Sequence, residues 1–212
     1  MNRIIQSLLL GEPGRIIPIR TAPARPGVSP GATPAGTPAN DILSADSRRL
    51  YEAWQGWRGD RLLPRRADLD LVAISRLMPR LAVIDVKDPD TAVFRLAGTE
   101  IEQLFGQRLT GRSYIRMVPP ERQKSRGELL WRIATQPCVV VQHIACDWQS
   151  GRHGVLEVFG VPMLADRDGE PVQMLGVVSR LPAPVWGEPD RIIAMRSIAM
   201  RFIDIGAGQP AP

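Results

Sequence analysis

The sequence predicts an α+β domain on a five-stranded antiparallel sheet, with short helices on one face and a helix flanking each end. Three observations lead there. Extended and helical patterns do not alternate one for one, as a parallel sheet requires; two strands come early, helices follow, and three strands then come in a row. The last three are joined by QSGR (149–152) and ADRDGE (165–170), polar turns of hairpin composition. Between the two groups, TEIEQLFG (99–106) carries helix-start and helix-stop signals rather than those of a glycine-rich loop.

Taken in order, residues 1–45 are expected to be a disordered Pro/Gly/Ala-rich segment, because PIRTAPARPGVSPGATPAGTPAN (18–40) has no apolar periodicity. From Ser47, Leu50, Trp54 and Trp57 recur at i, i+4 and i+7, one stripe of a helix ending at Gly59. Asp70 suits the N-cap of a second helix, stopped by Pro79. LAVIDV (81–86) and AVFRLAG (92–98) are strands about the turn KDPDT. Thr99 and Glu102 have the spacing of a capping box, and Gly106 suits the position after a helix end. Pro119 and Pro120 open a longer helix through Gln136, with Leu129, Leu130, Ile133 and Ala134 facing the core. Strands follow over 137–148, 153–164 and 171–181. In 188–206, Pro189 at N1, the stripe Ile192, Met195, Ala199 and Phe202, and Gly206 at the end predict a C-terminal amphipathic helix, within a last unit of 183–212.

The composition narrows the function. The formal net charge is +5, and of 27 basic residues only Lys87 and Lys124 are lysines. The positive charge is spread along the chain, without the clustered, aromatic-interleaved basic face of a nucleic-acid module. Cys138 and Cys146 lie eight residues apart on one expected strand, roughly 27 Å at about 3.3 Å per residue, too far for a disulfide. That cysteine usage suits a reducing, cytoplasmic setting, and no apolar run reaches the ~18 residues of a membrane span. Gly98, Gly106 and Gly111 match neither G-x-G-x-x-G nor G-x-x-x-x-G-K-[ST], so they punctuate turns rather than cradle a phosphate.

This element order, with GTEIEQLFG, the GRS loop (111–113) and MVPPE (117–121) before the long helix, resembles the PAS domain over about residues 46–182. YEAWQGWRGDRLLPRRADLD together with RLAGTEI looks like a bacterial family of single-domain PAS-like proteins. The resemblance implies a sensory or regulatory module of signal transduction that works by protein association, as a homodimer or with a signalling partner, with any ligand held between sheet and helices. On that expectation Phe94, Leu96, Ile101, Leu104, Phe105, Val141 and Phe159 are the pocket candidates. Leu50, Trp54, Trp57, Arg58 and Arg61, with Ile192, Met195 and Phe202, are the candidates for docking a second copy or a partner. The charged stretch 58–70 has two readings: a turn docked on its own sheet through Arg–Asp pairs, or a partner surface.

A haem or other cofactor sensor is the alternative. Some PAS domains ligate haem through a histidine on the long helix, but here that helix has none, which leaves His143 as the one candidate ligand. His143 has opposite strand parity to Cys138 and Cys146, so the three do not form a metal site. Residues 98–114 lack the cysteine that flavin photochemistry in related sensors uses. No cofactor is required by the sequence. A small-molecule enzyme is the further alternative, but no nucleophile–base arrangement or zinc-hydrolase motif is present, so no enzyme is expected.

Overall fold

Ser44 begins the first helix because its hydroxyl accepts from the backbone N–H of Ser47 at 3.2 Å, the hydrogen bond that satisfies an orphan helix donor. In the computed structural model, which describes residues 20–21, 43–181 and 190–210, this helix α1 spans Ala45–Arg58. Strand β1 is the short pair Arg20–Thr21. After α1 come β2 (Leu81–Asp88), β3 (Thr91–Ala97), helix α2 (Thr99–Phe105) and helix α3 (Pro120–Thr135). Then follow β4 (Cys138–Trp148), β5 (His153–Met163), β6 (Val172–Leu181) and β7 (Ile192–Asp204). The sheet order is β1-β7-β4-β5-β6-β2-β3. Six strands, β7 to β3, pair antiparallel throughout, while β1 adds to β7 in parallel.

Alternation along the strands divides the core between the two faces. On one face α1 lays Leu50 and Trp54 against Val141, Phe159, Val161 and Leu175. Trp54 has no exposed surface, and its indole N–H donates to the Pro162 carbonyl at 2.8 Å. On the other face α3 sets Leu130, Ile133 and Ala134 over Val86, Cys138 and Met174, while α2 caps the β2–β3 end.

Several expectations are corrected here. The C-terminal helix over 188–206 is a strand: β7 lies antiparallel along all of β4, from Cys138 opposite Asp204 to Trp148 opposite Ile192. Ala, Met and Arg favour a helix locally. Without β7, however, the outer edge of the eleven-residue β4 would be unpaired, and pairing outweighs the propensity. The sheet therefore has one strand more than the five expected, plus the short β1. Leu43, inside the segment 1–45 expected to be disordered, is 4 % exposed and packs in the core cluster with Leu50 and Trp54. Apart from Arg20–Thr21 and residues 43–45, the expected disordered segment lies outside the described residues. The second expected helix is a turn, with the Asp70 carboxylate accepting from Val72 N at 2.9 Å, followed by a 3-10 helix over Ser75–Arg80. Glu102 closes no capping box; its carboxylate accepts from Leu109 N at 2.9 Å and holds the next loop. Gly106 does end α2 in the left-handed conformation, at φ 63° and ψ 23°.

One close approach fixes how α3 sits. A Cβ on Gly127 would fall 1.8 Å from the Pro89 carbonyl oxygen in the β2–β3 turn. Gly127→Ala is therefore expected to push α3 off the sheet and cost about 1–3 kcal/mol despite alanine's better helix propensity, read as a lower denaturant midpoint. An unchanged or raised midpoint would contradict this contact.

Candidate functional site

The residue between Gln142 and Ile144 on β4 faces the opposite way from both, so β4 serves two sites at once. On the α1 side, His143 Nε2 lies 3.2 Å from the carboxylate of Glu157, its register partner on β5. Glu157 has no exposed surface; Ser47 Oγ donates to it at 2.6 Å and Ser44 N at 3.0 Å. Burial by itself would raise this carboxyl, but the donors from Ser47, Ser44 and His143 outweigh it and hold the group below its ordinary value. A carboxylate at the start of α1 also complements the helix dipole. The start of the flanking helix is thus tied to the middle of the sheet by a buried anion.

On the other side, β4 and β7 carry Gln142, Ile144, Met195, Ser197 and Met200 toward α3. Together with Met117, Val118, Pro119, Arg122, Ser125, Arg126 and Leu129 they line a cleft of about 280 Å³. A register shift makes this possible: Gln142 pairs with Met200 and His143 with Ala199, but Ile144 pairs with Ser197. Ile198 is the extra residue of a bulge, and because of it Ser197 and Met200, three apart, both face the cleft. Gln142 is 4 % exposed and donates from Nε2 to Ser197 Oγ at 2.9 Å. The lining is apolar with three methionines, carries this polar pair, and has Arg122 and Arg126 on α3. No acidic residue lines it.

None of the seven pocket candidates lines this cleft. Phe94, Ile101 and Leu104, with Phe105 partly covered, fill closed core beneath α2. Val141 and Phe159 lie on the opposite face, against α1. Leu96 is 37 % exposed on the edge strand β3. Alternation alone does not tell which parity faces the helices, so the sequence set mixed both sides. Gln142, a lone amide within VVVQHIAC, was the available signal for a polar floor. The bulge that brings in Ser197 and Met200 had no signature in the sequence.

The docking candidates are placed differently from the expectation as well. Leu50 and Trp54 are fully buried in their own chain and Trp57 packs beside them, so this stripe is core. Arg58 lies 5.1 Å over the Trp54 ring and donates to the Ile205 carbonyl at 3.2 Å. Arg61 pairs with Asp68 at 2.8 Å, Arg65 with Asp168 at 3.0 Å, and Arg66 with Asp166. The charged stretch 58–70 is thus a turn held to the β5–β6 hairpin through Arg–Asp pairs. On β7, Ile192 is buried, Phe202 packs under α3, and Met195 is the one docking candidate that lines the cleft.

No group of three or more His, Cys, Asp or Glu able to hold a metal occurs among the described residues. His143, the candidate haem ligand, faces α1 and Glu157, not the cleft. Burial, with Asp204 nearby, pushes the Cys138 thiol up to about 11; burial, with Asp147, pushes that of Cys146 up to about 12, Arg180 partly opposing. Both stay protonated and unreactive at neutral pH.

The PAS domain family matches residues 43–179 of this chain, from the start of α1 to near the end of β6. The chain belongs to the PAS domain family. PAS domains are sensory and signal-transduction modules and commonly mediate protein interactions, so this is a sensory module in that general sense. Strand β7 lies beyond the matched residues. The PAS domain of an HTR-like protein from Haloarcula marismortui, a solved structure, is 16 % identical, covering 47 % of this chain and 81 % of its own, with a TM-score of 0.31. No curated protein matches the chain. No helix among the described residues is long and apolar enough to cross a membrane.

The Glu157 tie has a pH signature. Its folded value lies below the ordinary 4.5, so its stabilising effect is complete above that pH and is lost as pH falls through the lower folded value. Thermal denaturation is expected to show a fall in stability below pH 4.5 that Glu157→Gln reduces. At neutral pH that variant should cost about 1–3 kcal/mol, because Ser47 and Ser44 lose a charged acceptor. An identical acid limb in both proteins would sink the assignment.

Proposed function

We propose that this PAS domain is a regulatory module of signal transduction that works by protein association, with a second copy or a signalling partner, and that a small molecule in the α3–β7 cleft tunes it. The observation that supports this reading is the two-sidedness of β4. Gln142 and Ile144 line the cleft, while Val141 and His143 between and beside them contact the layer held by α1. A ligand that shifts β4 acts on both layers, since packed layers respond by discrete rearrangement rather than by smooth deformation.

The residues available for association are not the tryptophan stripe. Among the described residues, Val72 is 81 % exposed and its neighbour Leu71 is 52 % exposed, in the turn that follows the charged segment. Adjacent apolar side chains held out to water by an Asp70-capped turn suit a contact with a second copy of the chain.

Light scattering of the full chain at micromolar concentration checks this. Self-association is expected, and Val72→Asp is expected to weaken it by about tenfold, the equivalent of about 1.4 kcal/mol. Trp54→Arg, by contrast, should unfold the domain, because Trp54 is internal. A monomer at every concentration would remove the homodimer from the reading.

A further inference from the structure

We infer that the cleft takes a small amphipathic anion, a carboxylate carrying an apolar tail, with Arg122 and Arg126 holding the head group. This inference rests on reading the cleft as a ligand site and adds the chemical class of the ligand. Three observations carry it. Arg122 and Arg126 stand four residues apart on α3, where like charges repel across one helical turn. Both line the cleft, and neither has an acidic partner among the described residues. A basic pair kept together without a counter-charge breaks a local rule, and such breaks mark functional sites.

The second observation is the wall opposite. Ile144 and Leu129 make the lining apolar, and the unbranched methionines 117, 195 and 200 make it adaptable to a flexible chain. The Gln142–Ser197 pair adds one polar point on the floor, and no hydrogen bond reaches the Gln142 Oε1 oxygen among the described residues. The third is the end of α3. Its N-cap, Pro119, makes no side-chain cap and itself lines the cleft, so the positive end of the helix dipole lies on the arginine side.

Size favours a single small molecule. At about 280 Å³ the cleft is at the lower end of ligand sites, roughly 300–1,000 Å³, and too small for a folded peptide segment. Three of its twelve lining residues come from β7, beyond the residues that match the family. The β7 wall of the cleft, Met195, Ser197 and Met200, is therefore a feature of this chain beyond the matched PAS residues.

The test titrates the full chain with decanoate and with decanol, following the methionine methyl signals by NMR. Decanoate is expected to shift the methyls of Met117, Met195 and Met200 and to bind about tenfold more tightly than decanol, as charge-assisted hydrogen bonds add to equal apolar contact. In the double variant R122Q/R126Q, whose changes are on the surface of α3, decanoate should fall to the level of decanol while decanol is unaffected. Equal binding of the two probes to the wild type, or unchanged decanoate binding in the double variant, would overturn the anion assignment and leave the cleft standing. If neither probe moves these methyls, the cleft reading fails, and this inference with it.

Discussion

The pairing of β4 on both of its edges is the constraint from which the rest of the structure follows. Its eleven residues hold β5 on one side and β7 on the other. Buried backbone donors and acceptors need partners, and that demand draws a segment with a mixed local preference into an extended strand. The register against β7 then has to absorb one extra residue at Ile198. The bulge turns Ser197 and Met200 to the same face, and the cleft exists because both point into it. A straight β7 would present one of them to α1's side instead.

The same strand ties the two layers of the domain together. Glu157 and His143 meet on the face that α1 covers, and the carboxylate closes the start of that helix through Ser44 and Ser47. A buried anion with three donors is a specific device: it sets where α1 begins and which part of the sheet it meets. On the other face of the sheet, the neighbours of His143 along β4, Gln142 and Ile144, face the cleft. In a PAS domain, whose general role is sensing, this places the lining of a cleft and the anchor of the first helix on alternate residues of one strand.

Much of the fold was legible in the sequence, and the gaps have physical causes. The paired strands β2–β3 and β4–β5–β6 declared themselves through alternation and polar turns, and Gly106 marked the end of α2. The strand β7 did not, because IIAMRSIAMRFID satisfies a helical stripe and an extended pattern alike; only the open edge of β4 decides between them. The stripe of Leu50, Trp54 and Trp57 is open in sequence to two readings, packing on its own domain or docking a second copy, because an amphipathic helix shows its apolar face without saying which surface covers it. The pocket candidates mixed the two sheet faces for the same reason. His143 was placed correctly opposite in parity to the cysteines, since alternation needs no tertiary information, but its partner Glu157 comes from the register of the β4–β5 hairpin. Arg122 and Arg126 carried no signal in a chain where nearly every cation is arginine.

The most direct test of this account is the conformation of residues 192–204 in the full chain, read by NMR from backbone chemical shifts and cross-strand contacts. Extended shifts are predicted, with α-proton contacts from β7 to β4 in the register Gln142–Met200 and Ile144–Ser197, interrupted at Ile198. Helical shifts across this segment would remove both the wall of the cleft and the outer partner of β4, and an unbroken register without the bulge would remove the wall; either result contradicts the account.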